Sequence, residues 1–122
     1  MEHDVRNNGK WGEEQAIAYL RGQNYTILEA NWRYKKFEID IIAKINDRIV
    51  FIEVKTRGSA EFGEPETFVS LKKQRFIIEA ANNYIITKDI KEEARFDIVS
   101  ILTQNNQTIV KHLPDAFYPI VK

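Results

Sequence analysis

The stretches FEIDIIA, residues 37–43, and IVFIEVKTR, residues 49–57, decide the fold. Both alternate with the period of two that a β-strand imposes. In the first, Phe37, Ile39, Ile41 and Ala43 alternate with Glu38, Asp40 and Ile42; in the second, Val50, Ile52 and Val54 alternate with Phe51, Glu53 and Lys55. Between them, KINDR centres on Asn46 and Asp47, residue types that tolerate the left-handed backbone of a tight turn. A hairpin centred there sets Ile39 against Val54, Ile41 against Ile52 and Ala43 against Val50, which makes one face apolar. On the other face Asp40 meets Glu53, Glu38 meets Lys55 and Ile42 meets Phe51, with directly paired Cβ atoms about 4.5–5.5 Å apart.

Two carboxylates facing each other across a ladder repel, and the pKa of at least one should rise unless a cation or a proton resolves the conflict. A bound divalent metal is the economical resolution. All-oxygen ligands suit Mg²⁺ or Mn²⁺ better than zinc, and Mg²⁺ binds through one or two acidic side chains while keeping several waters. Lys55, two residues from Glu53 on the same face, would then polarise an attacking water or stabilise charge growing on a phosphate. The competing reading of the same residues is a solvated salt-bridge ladder of Asp40, Glu53, Glu38 and Lys55 on the exposed side of an antiparallel sheet.

The rest of the chain sets bounds. Its 122 residues are expected to form a single domain, residues 1–122, with residues 1–8 flexible. With 43% hydrophobic and 30% charged residues and a formal net charge of zero, it has the composition of an ordinary globular protein. Any attraction to phosphate must therefore come from local clustering of charge. The absence of cysteine excludes disulfides and thiolate sites, and two histidines, His3 and His112, are too few for a histidine-rich zinc centre. The polar start MEHDVRNNGK has no apolar core of a signal peptide, and no run approaches the roughly 18 apolar residues of a membrane span. A cytoplasmic protein with no membrane partner is expected.

A first helix is predicted from Gly9 to Arg21, with Gly22 as the left-handed residue that closes it. Its apolar stripe, Ala16, Ile17 and Leu20, runs back onto Glu13, an acid that either joins the sheet-facing chemistry or only complements the helix dipole. A strand at Tyr25–Arg33 precedes the hairpin, and TRGSAEFGEPETF, Thr56 to Phe68, reads as a loop beside the Lys55 end of its strand. A second helix, Ser70–Thr87, places Gln74 in a row with Leu71, Ile78, Ala81 and Ile85, as an accessory site residue or a boundary amide. Strands near Arg95–Leu102 and Ile109–Leu113 follow, giving the order α-β-β-β-α-β-β and a mixed sheet flanked by helices.

In this order the segments look familiar. FEIDIIA followed by IVFIEVKTR resembles the core of the PD-(D/E)xK nuclease superfamily. GEEQAIAYL at Gly12–Leu20, NWR at Asn31–Arg33, KKQR at Lys72–Arg75, RFDIVSI at Arg95–Ile101 and HLPDAF at His112–Phe117 further resemble the YraN-like bacterial family of predicted endonucleases, which is related to Holliday-junction resolvases. The ordered set spans nearly the whole chain. Two positions depart from the pattern: Phe37 stands where the family usually has glycine, and Ile39 replaces the proline of the superfamily's name. Neither is a metal ligand.

The resemblance implies a restriction-endonuclease-like α/β fold, with Asp40, Glu53 and Glu13 as metal ligands, Lys55 as the catalytic lysine and Gln74 as an accessory residue; the hairpin register adds Glu38, beside Lys55, as an accessory partner that tunes it. It implies a metal-dependent endonuclease acting on DNA, branched DNA included, as a homodimer if both strands of a junction are cut. Arg33, Lys35, Lys36, Arg57, Lys72, Lys73 and Arg75, interleaved with Trp32 and Tyr34, are the candidate backbone contacts. The alternatives are a nucleic-acid-binding module that keeps the fold without cleaving, and an interaction protein, which leaves the facing acids without a reason.

Overall fold

The structure is a computed structural model and describes residues 9–58 and 69–119. Helix α1 (Gly9–Gly22) is followed by β1 (Thr26–Tyr34), β2 (Phe37–Ile45), β3 (Arg48–Arg57), α2 (Leu71–Thr87), β4 (Glu93–Gln104) and β5 (Gln107–Phe117). The chain thus adopts the expected α/β order. One five-stranded mixed sheet runs β1-β2-β3-β4-β5, with β3 and β4 parallel and the other pairs antiparallel. A parallel pair needs a long crossover, and α2 lies in the one between β3 and β4. The expected flexible residues 1–8, and residues 59–68 of the expected loop, lie outside the described residues; Thr56 and Arg57 belong to β3.

Both helices end on a left-handed residue. Asn24 (φ 72°) closes α1: the Tyr25 N–H donates to the Leu20 carbonyl at 3.0 Å and the Asn24 N–H to that of Arg21 at 3.0 Å. This is a Schellman closure, and it falls two residues beyond Gly22, because asparagine also tolerates positive φ. Asp89 (φ 54°) closes α2, with the Ile90 N–H donating to Ile85 O at 3.0 Å. At the other end of α2, the Ser70 Oγ accepts the Lys73 N–H at 3.0 Å.

The hairpin register is as expected where the strands pair: Ile41 with Ile52, Ile42 with Phe51 and Ala43 with Val50, around Asn46 at φ 53°. Its faces are not. Ala16 and Leu20 of α1 pack on Ile41, Ala43, Val50, Ile52, Val99 and Ile101, while Ile77, Ala80, Ala81 and Tyr84 of α2 pack on Ile42, Ile49, Phe51, Phe96 and Ile98. Sheets covered on both faces carry near-continuous apolar runs, which explains the unbroken Ile49–Ile52. Ile42 and Phe51, expected on an acidic face, therefore floor the second core. Ile39 was expected beside Ile41 and instead joins the α2 core. The switch falls at Asp40, between the pairs Ala30–Ile41 and Trp32–Ile39, where Asn31 of β1 takes φ 56°.

The buried row of α2 is also displaced from the expected one: Leu71 is 57% exposed, and Ile77, Ala81 and Tyr84 carry the contact. On the far side of the sheet, a register shift between Phe96 and Ile98 buries Asp97 completely. Its carboxylate accepts from Arg95 Nε (2.9 Å) and Nη2 (2.8 Å) and from the Asp115 N–H (2.9 Å), and lies 2.7 Å from His112 Nε2. Burial pushes this carboxyl up, but the His112, Arg95 and Asp115 hydrogen bonds outweigh it and hold the group below the ordinary range. Tyr19 Oη, 3.0 Å from His112 Nδ1, ties α1 into the network.

One close approach fixes α1 on the sheet. Gly12 is buried, and a Cβ there would overlap the Thr56 side chain of β3, Oγ1 first. Gly12→Ala should therefore cost about 1–3 kcal/mol, read as a fall in Tm, and Thr56→Ala in the same chain should recover part of it. Additive losses in the double variant would show that the contact does not seat the helix.

Candidate active site

The β2–β3 ladder ends at Ile41–Ile52, short of the acids. Beyond it, Asp40 Oδ2 accepts the Val54 N–H at 2.8 Å, so a side chain bridges the strands where backbone pairing has stopped. The parting strands leave Asp40 and Glu53 as neighbours between the two helix layers. Glu53 is 4% exposed, and its Oε2 pairs with Lys73 Nζ at 3.1 Å. Glu53 Oε1 is buried and receives no N–H or ammonium; the Asp40 carboxyl can donate to the Glu53 carboxylate while it keeps its proton, so that oxygen is left unsatisfied, an uncommon and costly state, only when Asp40 ionises.

The electrostatics follow from this geometry. Asp40 keeps a partial opening to solvent, yet its carboxyl is deep enough that burial is the main effect, with repulsion from Glu53 next; the Val54 N–H opposes both, the Glu13 charge and a hydrogen bond with the Glu53 carboxylate add to the rise, and the pKa is pushed up to about 8. Burial also raises Glu13, a hydrogen bond from Asn31 opposes it, and the charges of Glu38 and Glu53 add to the rise. Lys73 is drawn the other way: partial burial works against its charge, but Glu53, helped by Asp40 and Glu38, holds the ammonium above its ordinary value. Glu13, Asp40, Glu53 and Lys73, from four different elements and both helix layers, thus share one field.

Several expected placements need correction. Glu38 does not face Lys55; it lies across from Arg33 of β1 and pairs with it at 3.5 Å. Gln74 turns back on its own helix start, donating from Nε2 to Val69 O at 3.0 Å, because the buried stripe of α2 is not the row it occupies. Lys55, half-buried and aligned with Ser100 in the parallel ladder, makes no ion pair among the described residues. The lysine that meets Glu53 is Lys73, expected only as a phosphate contact. Nothing in a one-residue register argument links an α2 lysine to a β3 acid. Glu13, hydrogen-bonded to Asn31, is near enough for its charge to act on Asp40 and Glu53, but it does not join them in a close cluster among the described residues.

The basic residues divide. Lys36, Lys72 and Lys73 line a cavity of about 500 Å³ with Phe37, Glu38 and Phe76. Arg75 lines a different one, of about 730 Å³, with Leu71, Ile78 and Tyr118. Lys35 lies over the Tyr34 ring, and Arg57 ends β3. Among the described residues no three acidic or histidine side chains gather closely enough to cage an ion by themselves. What the site offers is a pair of buried carboxylates, which is the ligand count Mg²⁺ uses when water completes its shell.

An aspartate ordinarily titrates near 3.8 and Asp40 near 8, so the folded chain holds an extra proton between those values. Stability should then fall as pH rises through that window. Asp40→Asn removes the penalty while keeping an oxygen for Val54. Its Tm should exceed the parent's by about 5 °C at the upper end of the window, with no gain at the lower end. A variant less stable than the parent at the upper end would contradict the burial of this acid.

The family model described as "Uncharacterised protein family UPF0102" matches residues 12–101, from the α1 glycine to β4. The UPF0102 protein of Flavobacterium psychrophilum is 42% identical over 110 residues, covering 90% of this chain and 92% of that protein. That of Flavobacterium johnsoniae is 46% identical over 114 residues, covering 90% and 93%, and that of Persephonella marina is 46% identical over 110 residues, covering 89% and 91%. With a family model matching residues 12–101 and relatives 42–46% identical over most of both chains, the chain belongs to the UPF0102 family, the YraN-like group.

Proposed function

We propose that this protein is a divalent-metal-dependent endonuclease that hydrolyses DNA phosphodiester bonds, with Asp40 and Glu53 holding Mg²⁺ or Mn²⁺. The observation that carries the reading is the buried Glu53 Oε1, left without a donor once the adjacent Asp40 carboxyl, whose ionisation burial opposes, gives up its proton. Both are hard oxygen donors, and a divalent cation between them would satisfy the orphaned atom and offset the repulsion. When bound, such an ion lowers the pKa of a coordinated water and neutralises charge on the phosphate.

The chain's own residues have separable tasks. Lys73 fixes Glu53 Oε2 at 3.1 Å, leaving Oε1 for the ion. Asn31 orients Glu13, which completes the acidic wall from α1. Lys55, with no ion pair among the described residues to hold its ammonium, is left to orient the attacking water or to meet the phosphate oxygens. The preference for branched or junction DNA, and the homodimer such a substrate would require, come from the resemblance of the sequence.

A second reading, a nucleic-acid-binding module without cleavage, is favoured by one observation: Glu13, Asp40 and Glu53 do not gather as a three-acid cage among the described residues. Cleavage assays separate the two. On a panel of linear and branched DNAs with Mg²⁺ or Mn²⁺, the parent chain should cut, and Asp40→Asn or Lys55→Ala should lower the rate by about 10²-fold or more. Full activity in either variant sinks the assignment, and no cleavage on any substrate favours the binding module.

A further inference from the structure

Beside the acid pair stands a set of rings and cations that the chemistry above does not use. Phe37 of β2 and Phe76 of α2 stack with centroids 4.5 Å apart and planes 17° apart, and Lys72 Nζ lies 5.8 Å over the Phe76 ring. Tyr34, the cross-strand partner of Phe37, adjoins the cavity without lining it; Trp32 lies parallel to its ring with centroids 6.5 Å apart, and Lys35 Nζ lies 5.3 Å over the same ring. All three rings are half-buried, while Lys35, Lys36 and Lys72 are exposed. The one acid in the cavity wall, Glu38, already faces Arg33 at 3.5 Å, so the lysines set the sign of the groove. Its inner end is Lys73, 3.1 Å from Glu53.

We propose that this groove, together with the Tyr34 and Lys35 edge that adjoins it at Phe37, binds an unpaired DNA strand, with bases against the Phe37, Phe76 and Tyr34 rings and phosphates against Lys36, Lys72 and Lys35. A cationic groove floored by aromatic rings fits a single strand, because base faces are free to stack on side chains only when they are not stacked in a duplex. Lysines over ring faces keep the charges next to the stacking surface, so one strand meets both in the span of a few nucleotides. The inference deepens the nuclease reading by naming the strand that enters, and it rests on that reading only for where the strand leads. The net charge of zero adds no attraction from the rest of the chain, which makes the local groove decisive.

Fluorescence anisotropy in EDTA tests it apart from cleavage, using a labelled single strand of about 12 nucleotides and the blunt duplex of the same sequence. The single strand should bind at least about tenfold tighter. Its log–log salt slope should be about 2, from three lysines at about 0.7 each, and the Lys36→Ala/Lys72→Ala variant should lower the slope by about 1.4. Tyr34→Leu should weaken binding about tenfold without changing the slope, and its unaltered Tm would confirm that the fold is intact. Equal or tighter binding of the duplex, or an unchanged slope in the lysine variant, overturns the proposal. Strand preference without cleavage would overturn the nuclease reading alone, and cleavage without strand preference would overturn this one alone.

Discussion

Two carboxylates held in one buried gap are the constraint around which the rest of the structure is arranged. Asp40 and Glu53 sit where β2 and β3 stop pairing, and each is held by a different kind of bond. Asp40 takes the Val54 amide in place of a ladder bond, while Glu53 takes the Lys73 ammonium. Those two contacts leave one carboxylate oxygen buried and unmatched. A fold selected for stability alone would have replaced such a pair with apolar residues, since buried like charges oppose folding and well-packed apolar side chains do not. The cost makes sense if the gap has a cationic occupant.

The two helix layers make that gap possible. Gly12 lets α1 lie close enough on β3 for Glu13 to enter the same field. The Ser70 cap starts α2 so that Lys73, three residues on, reaches Glu53 from the other face. Asn31, left-handed in β1, lies beside Asp40, and there β2 exchanges its faces between the two cores. At the other side of the sheet, Asp97 shows the contrasting solution. It is fully buried, but Arg95, His112 and the Asp115 amide satisfy it, and its pKa falls where that of Asp40 rises. One acid is neutralised by the protein itself and the other is not.

Much of this was legible in the sequence. The hairpin register, the element order and the closeness of Asp40 to Glu53 follow from strand alternation and from a turn at Asn46, because a one-residue slip would have moved every side chain to the wrong face; the ladder itself stops before the two acids. Alternation also misled. It assumes an unbroken pleat, and the face switch at Asp40 sent Ile39 to the α2 core. A sheet buried on both sides turned the expected acidic face into a second core. Lys73 was missed because its partner is on an element distant in sequence, and helix rows gave the wrong stripe on α2. Asp97 was there to be found by the signal that singled out Asp40, an acid set among apolar neighbours in RFDIVSI.

The central claim, that the Asp40 and Glu53 pair is a divalent-metal site, is tested most directly by calorimetric titration of Mn²⁺ near neutral pH in two buffers of different ionisation enthalpy. Metal binding must displace the proton that burial keeps on Asp40. The account predicts about one ion per chain, bound with net proton release, and loss of that release in Asp40→Asn. Binding with no proton release, or binding that Asp40→Asn leaves unchanged, would contradict it.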